Sequence, residues 1–177
     1  MKLRIVIIGA GGHGKVVCDA IIAQNMYEII GFVDATIPVG TVIFNSYKII
    51  AAQKDLKTLI AKADLFIVAI GNNQLRAKIS AEAALNLKPA KVIHPTSVIG
   101  SDVKISSGTV VLANAVINAL SNIGENTIVN SGVIVDHDCV IGNNVHLSIG
   151  TMVGSNSIIA DSYTSSIGEK INSFSKL

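Results

Sequence analysis

The sequence predicts two folds in series, a small α/β domain with a parallel sheet and then a parallel β-helix. Three observations carry this. From Ile93 to Ile159 every sixth residue is Ile, Val or Leu, twelve times without a miss. Three residues after each of these aliphatics the chain prefers Gly, Asn or Asp, at nine of twelve positions, the residues that tolerate a left-handed backbone at a tight corner. Before the repeats, a buried-strand pattern runs straight into a glycine-rich turn and a helical stretch.

Taken in order, Leu3–Ile8 reads as a buried strand and Gly9-Ala10-Gly11-Gly12-His13-Gly14-Lys15 as the turn that opens a helix through Gln24. Glu28–Val33 is the second strand, ending at Asp34. A helical stretch near Gln53–Lys62, a strand at Leu65–Ile70 and a helix near Gln74–Leu87 complete a half-sized, Rossmann-like doubly wound sheet over residues 1–92. Residues 93–177 form the β-helix. Each hexad supplies an inward aliphatic, a corner and, four residues on, an inward small residue such as Ala115, Ser121, Thr127 or Cys139, with Tyr163 the bulky exception. Three hexads make a coil, so twelve make about four. After Ile159 the pattern is expected to fail, since Ser165 takes the next aliphatic slot and Ile167-Gly168-Glu169 reads out of phase.

Composition narrows the function. Half of the 177 residues are apolar, yet the longest clean apolar run, Leu65–Ile70, is far too short to span a bilayer, so no membrane role is expected. No signal peptide is read at the N-terminus, and Cys18 and Cys139 read as packed thiols rather than a bridge, which favours the cytoplasm. Residues 1–92 carry eleven Lys and Arg against six acids, a net of +5, whereas 93–177 carry three against six, a net of −3. A positive first domain suits a nucleotide diphosphate; it is too weakly charged and too poor in aromatics for a nucleic-acid surface.

Glycines 9, 11 and 14 match G-x-G-x-x-G, with Asp34 twenty positions after the last. Such a loop lets backbone N–H groups at a helix start approach a phosphate. NAD would want a second mononucleotide half, and only about 90 residues precede the repeats, so a smaller nucleotide is expected instead. The glycines could also serve only the tight turn.

The stretches G-A-G-G-H-G-K-V-V (9–17), F-V-D (32–34), A-I-G-N-N-x-x-R (69–76) and V-I-H-P (92–95), followed by hexads, resemble the NeuD/PglD-type sugar acyltransferases. These join a nucleotide-sugar-binding domain to a left-handed β-helix, an exception to the right-handed crossover rule. The resemblance implies that Gly11, Gly12, His13, Gly14, Asp34, Asn72 and Asn73 line the nucleotide-sugar pocket. Arg76 reads either as a phosphate contact or as a helix-surface charge.

His137 stands out on residue chemistry alone. It sits in Val135-Asp136-His137-Asp138-Cys139, at a hexad position otherwise mostly Ser, Ala, Pro or Asn, between two carboxylates. A carboxylate fixes the tautomer of a neighbouring imidazole and stabilises its cation, as a general base requires; a surface histidine is the competing reading. The resemblance implies that His137 is the base, Asp138 its partner, and His146 a contact to the acceptor. Asp replaces the family's Glu at 138. Nine residues is half a coil, so His137 and His146 lie on separate parts of one subunit's perimeter. If both serve one site, a homotrimer with shared sites is expected. Asn118, Asn130 and Ser148 are candidate pocket polars, and His94 a cap or linker residue. The histidine spacing does not fit a three-histidine zinc site, so no metal is expected.

The implied reaction is acetyl transfer from acetyl-CoA to a nucleotide-activated amino sugar of the UDP-4-amino-4,6-dideoxy type in bacterial glycan biosynthesis. Backbone N–H groups near Gly150, Gly154 and Ser155 are expected to hold the thioester. Relatives continue for further coils that help to bind CoA, so the C-terminus reads as short or diverged. That keeps open a non-catalytic, nucleotide-sugar-binding role, and O-acetylation of sialic acid or another sugar hydroxyl also remains open.

Overall fold

The computed structural model describes residues 1–59 and 61–177, without the side chains at 57 and 58. The chain divides into two compact units, Met1–Ala90 and Lys91–Leu177.

In the first unit, β1 (Leu3–Ile8), α1 (Gly12–Gln24) and β2 (Tyr27–Asp34) form a parallel crossover. There follow β3 (Val42–Phe44), β4 (Tyr47–Ala52), a 3-10 segment (Gln53–Leu59), β5 (Leu65–Val68), α2 (Asn73–Ala84) and β6 (Lys88–Pro89). The sheet order is β3-β4-β2-β1-β5-β6, parallel throughout except for β3 against β4. The near-continuous apolar runs of β1 and β5 are buried in the middle of the sheet. Val6, Ile8, Val33, Phe66, Val68 and Ile79 share a core there.

Two features differ from the sequence reading. The β3–β4 hairpin was not expected; its turn, Asn45-Ser46, has positive φ at both residues (44° and 69°), the geometry that matches strand twist in a two-residue hairpin. Serine at the second position hides the signal that glycine would have given. The segment expected to be helical near 53–62 is 3-10 over Gln53–Leu59, and Ile60 lies outside the described residues.

The second unit is a parallel β-helix of two-residue strands on three faces. The first face stacks Val92–Ile93, Val110–Val111, Ile128–Val129 and His146–Leu147. The second stacks Val98–Ile99, Val116–Ile117, Ile134–Val135, Met152–Val153 and Lys170–Ile171. The third stacks Lys104–Ile105, Asn122–Ile123, Val140–Ile141 and Ile158–Ile159. Every pairing is offset by one 18-residue coil, which turns the sixfold period into columns: Ile117, Val135, Val153 and Ile171 stack inside along one face. Inward hydroxyls are satisfied by the backbone of the next coil. Thr109 Oγ1 donates to Gly124 O at 2.7 Å and accepts from Thr127 N at 3.1 Å.

The expected failure after Ile159 does not occur. A left-handed corner recurs at every sixth residue from Asp102 to Phe174, including Leu120, Ser162 and Gly168. Ile171 returns to the buried aliphatic column. Ser165 fills its slot because its hydroxyl has buried partners: Ser148 N donates to Ser165 Oγ at 2.7 Å, and the Ser165 and Thr151 hydroxyls lie 2.7 Å apart. The winding therefore continues to Leu177, whose N–H bonds Ile158 O. In this last stretch Ile171 is core, whereas Ile167 and Phe174 are exposed.

Candidate active site

A cleft of about 380 Å³ opens at the carboxyl ends of β1 and β2, lined by Gly9, Gly11, Gly12, His13, Asp34, Ala35, Gln53, Ala69, Ile70, Gly71 and Leu75. Such an end of a parallel sheet is where open α/β folds bind ligands. The glycines divide by cause. A Cβ on Gly9 or Gly14 would collide with backbone, at 2.8 Å from Ala69 O and 2.2 Å from Gly9 O respectively. Those two serve the turn and the close packing of α1 on the sheet. A Cβ on Gly11 or Gly12 would meet nothing within 4 Å. Nothing inside the protein demands glycine there, so the bare backbone at the helix N-terminus is free for close approach by a ligand. No acidic residue sits in the first turn of α1 to oppose an anion.

Asp34 closes the other side. Its Oδ1 accepts from Thr36 N (2.9 Å), Thr36 Oγ1 (3.0 Å) and Ile37 N (3.2 Å), and its Oδ2 accepts from Ala10 N (3.0 Å). Burial alone would raise its pKa, but these donors outweigh it and hold the carboxyl below its ordinary value. Asp34 is thus a fixed anion that ties the glycine loop to the end of β2, with Oδ2 the oxygen less occupied.

Three of the residues expected in this pocket also have structural tasks. Gly14 is buried behind the turn. Asn72 caps α2, its side chain accepting from Leu75 N at 2.9 Å. Asn73 is buried and accepts from Arg76 Nη2 at 2.6 Å. Arg76 is neither a surface charge nor a cleft residue: at 1% exposure it also donates to Ile70 O (3.0 Å) and Gly71 O (3.1 Å), clamping the loop that forms the cleft floor. Burial pulls its pKa down to about 10, which leaves it cationic at neutral pH. Gln53, just past the carboxyl end of β4, lines the cleft and was not anticipated; its place after that strand was the available signal.

In the β-helix, His137 and Asp138 occupy the corner after Ile134–Val135. His137 Nδ1 lies 2.7 Å from Asp138 Oδ2, and the imidazole is 52% exposed. Asp138 takes the left-handed corner conformation (φ 58°), which brings its carboxylate back to the preceding ring. The histidine pKa is raised, chiefly by the hydrogen bond to Asp138, against a smaller lowering by burial and with added attraction from Asp136 and Asp138. With Nδ1 engaged, Nε2 is the nitrogen left to take a proton. His146 sits on the first face, its Nε2 3.2 Å from Asn130 Nδ2. His94 caps the first corner through Thr96. Ser148 donates to Ser165 O at 2.6 Å and is structural.

Two of the N–H groups expected to receive a thioester are committed elsewhere. Gly150 N donates to Ser131 O (3.0 Å) and Gly154 N to Ile171 O (2.8 Å). A Cβ on Gly154 would also lie 2.5 Å from Ser173 N, so this glycine is there for coil stacking. The Ser155 hydroxyl donates to Ser173 Oγ at 3.2 Å. Continuation of the winding past Ile159 is what occupies Gly154 N and the Ser155 hydroxyl, whereas Gly150 N is held by the preceding coil. Among the described residues no group of three His, Cys, Asp or Glu side chains could hold a metal ion, and no helix is long and apolar enough to cross a membrane.

The family model described as the PglD N-terminal domain matches residues 4–83. The acetyltransferase domain of PglB from Neisseria gonorrhoeae, solved with acetyl coenzyme A, is 35% identical with a TM-score of 0.75, over 98% of this chain and 86% of that one. The chain belongs to the PglD-type sugar acyltransferases. Perosamine N-acetyltransferase from Caulobacter crescentus, solved as a histidine-to-asparagine variant with CoA and GDP-perosamine, is similar to the PglD-type chain at 30% identity and a TM-score of 0.79, over 96% and 83% of the two chains. UDP-N-acetylbacillosamine N-acetyltransferase from Bacillus subtilis is 32% identical over 114 residues, 62% of this chain. The PglD-type chain spans about half (51%) of that curated relative. The fold is accordingly that of an α/β domain followed by a left-handed β-helix. The matched residues 4–83 contain the whole lining of the cleft.

Proposed function

We propose that the protein transfers an acetyl group from acetyl-CoA to the amine of a nucleotide-activated amino sugar in bacterial glycan biosynthesis. One observation carries the reading: the exposed His137–Asp138 pair at 2.7 Å, with Nδ1 engaged by the carboxylate and Nε2 without a partner among the described residues. The nucleotide diphosphate binds in the cleft of the first unit, against Gly11, Gly12 and His13, with Asp34 Oδ2 accepting from the nucleoside. Gly14, Asn72, Asn73 and Arg76 support that cleft from behind.

The sugar amine arrives as an ammonium and must lose a proton before it can attack. His137 Nε2 takes it, and Asp138 stabilises the resulting imidazolium. The nitrogen then attacks the thioester carbonyl, the N–C bond forms, the C–S bond breaks, His137 returns its proton to the leaving sulfur, and the second amine proton, made acidic by acylation, passes to solvent. Transfer is direct, since the nearby thiol of Cys139 is buried, with its pKa pushed up by burial, and it donates to Gly154 O. Similarity to relatives that bind CoA or acetyl-CoA supports the donor; relatives named for UDP- and for GDP-linked sugars leave both nucleotides to be tried. We place the reaction in the cytoplasm, where acyl-CoA and nucleotide sugars occur and the two free thiols stay reduced. The test is thiol release from acetyl-CoA with UDP- and GDP-linked 4-amino sugars. Release that requires the amino sugar supports the reading. Release only with a hydroxyl acceptor would make it an O-acetyltransferase, and nucleotide-sugar binding without any release would make it a binding protein.

The protein acts as a homotrimer in this reading. His137 follows the second face whereas His146 lies on the first, so one subunit cannot easily aim both at one substrate. Beside the His137 corner, Val98, Val116, Ile134 and Met152 stack one coil apart as an outward apolar column, of which Val98, Ile134 and Met152 are exposed. A column of this kind suits a threefold contact with two further copies. Light scattering is expected to give three chain masses; a monomer would remove the shared-site arrangement.

A further inference from the structure

We infer that Asn118, one coil before the base, is a positioning residue that acts on His137 through the carboxylate of Asp136; the inference rests on the reading of His137 as the base. Asn118 Nδ2 donates to Asp136 Oδ1 at 3.0 Å, and the same oxygen accepts the His137 backbone N–H at 2.9 Å. One oxygen thus ties the preceding coil to the peptide that carries the imidazole. The column these residues occupy is built to leave them alone. Its neighbours one coil away on either side are Gly100 and Gly154, where a Cβ would lie 2.6 Å from Ala119 N and 2.5 Å from Ser173 N. Gly100 and Gly154 thus flank the polar pair of Asn118 and Asp136 in this column, which continues to Asn172.

A second hold acts on the inner side of the same corner. Ser121 is fully buried; its hydroxyl donates to Asp136 O at 2.7 Å and accepts from Cys139 N at 3.0 Å, gripping the corner just before and just after His137 and Asp138. Ser121 alone would fix the backbone, as Thr109 and Thr127 do at other corners, and this is a structural task. What Asn118 adds is the direction of a charge. Held by the His137 N–H alone, the Asp136 carboxylate could pivot on that single bond; the second bond, from Asn118, fixes its direction. The Asp136 carboxyl is held below its ordinary value chiefly by Asn118, then by the His137 N–H, and its charge in turn raises the histidine. The residues stacked against the corner, Ala119 and Leu120 in the preceding coil and Ser155 and Asn156 in the following one, are uncharged. Asp136 and Asp138 are therefore the titratable groups that face His137 within the subunit.

The readout is the titration of His137, one of four histidines, followed by its Cε1–H resonance in the full-length protein, with the thiol-release pH profile measured beside it. In Asn118→Ala the Asp136 carboxylate keeps only the His137 N–H and pivots toward solvent, so the His137 midpoint falls and the acid limb of the rate profile moves to lower pH. In the near-isosteric Asn118→Asp a further negative charge joins Asp136, so both move to higher pH. In Asn118→Ala, kcat is expected to fall about tenfold, within the range that a misplaced catalytic group costs, with KM for acetyl-CoA changed less than twofold. Opposite shifts in the two variants are not what a merely structural asparagine would give. A His137 midpoint that is the same in wild type and both variants overturns the proposal, whatever the activity does. Opposite shifts without thiol release from any amino sugar would leave the positioning role standing and remove the acetyl-transfer reading.

Discussion

Replacing His137 by alanine lowers turnover with acetyl-CoA and an amino-sugar acceptor by about 10²–10⁴-fold, the range contributed by a positioned general base. The protein stays folded, because half of the imidazole is exposed and its side-chain partner is the adjacent Asp138. The loss falls on kcat rather than on binding of the nucleotide, whose cleft is formed by other residues. The pH profile carries the second half of the expectation. Only neutral imidazole can accept the proton, and the carboxylate at 2.7 Å favours the charged form and raises the pKa. Activity should therefore rise with pH through a midpoint above the ordinary histidine value of about 6.5. In Asp138→Asn that midpoint should move down while the maximal rate falls, since the imidazolium loses its counter-charge. Stopped-assay kinetics from pH 5.5 to 9 check both, with wild-type turnover in His137→Ala the result that sinks the assignment.

Arg76→Met should destabilise the first unit by about 3 kcal/mol or more. Methionine fills much of the volume but leaves Ile70 O, Gly71 O and Asn73 Oδ1 with a lost charged donor in a buried setting, at roughly 1–3 kcal/mol for each. For a unit of this size 3 kcal/mol lowers the melting temperature by about 12–24 °C. Ile70 and Gly71 also line the cleft, so nucleotide-sugar affinity should fall even below the melting transition. Calorimetry reads the first effect and titration of a UDP- or GDP-sugar the second. A melting temperature within 3 °C of wild type would mean that the guanidinium is not what holds this loop.

The parts of the molecule governed by a short period were plain in the sequence. The inward aliphatics, the left-handed corners and the stacking of Val111 on Val129 follow from spacing alone, as does the strand–turn–helix at Gly9–Lys15. Local chemistry was equally readable at His137, because its carboxylate partner is the next residue. What escaped depends on groups far apart in the chain. Nothing near Arg76 says that its guanidinium turns inward onto Ile70 and Gly71 rather than out to solvent. The donor at Gly154 looked available only because the winding was expected to stop; counting on by six reaches Ile171 and Leu177, and one weak step at Ser165 concealed it. The two asparagines at 72 and 73 were read as ligand contacts, and the sequence did not show that Asn72 also caps α2 or that Asn73 also bonds Arg76 in the interior.

The unbroken rail of corners from Asp102 to Phe174 has a consequence for how this chain can vary in length. Each coil touches only the coils beside it, so gaining or losing eighteen consecutive residues away from the His137 corner returns every side chain to its own column. A change of one or two residues instead turns aliphatics outward for the remainder of the winding unless it bulges out as a loop at a corner. Length in such a molecule is quantised, and lineages of this chain can grow or shrink by whole turns far more readily than by single codons.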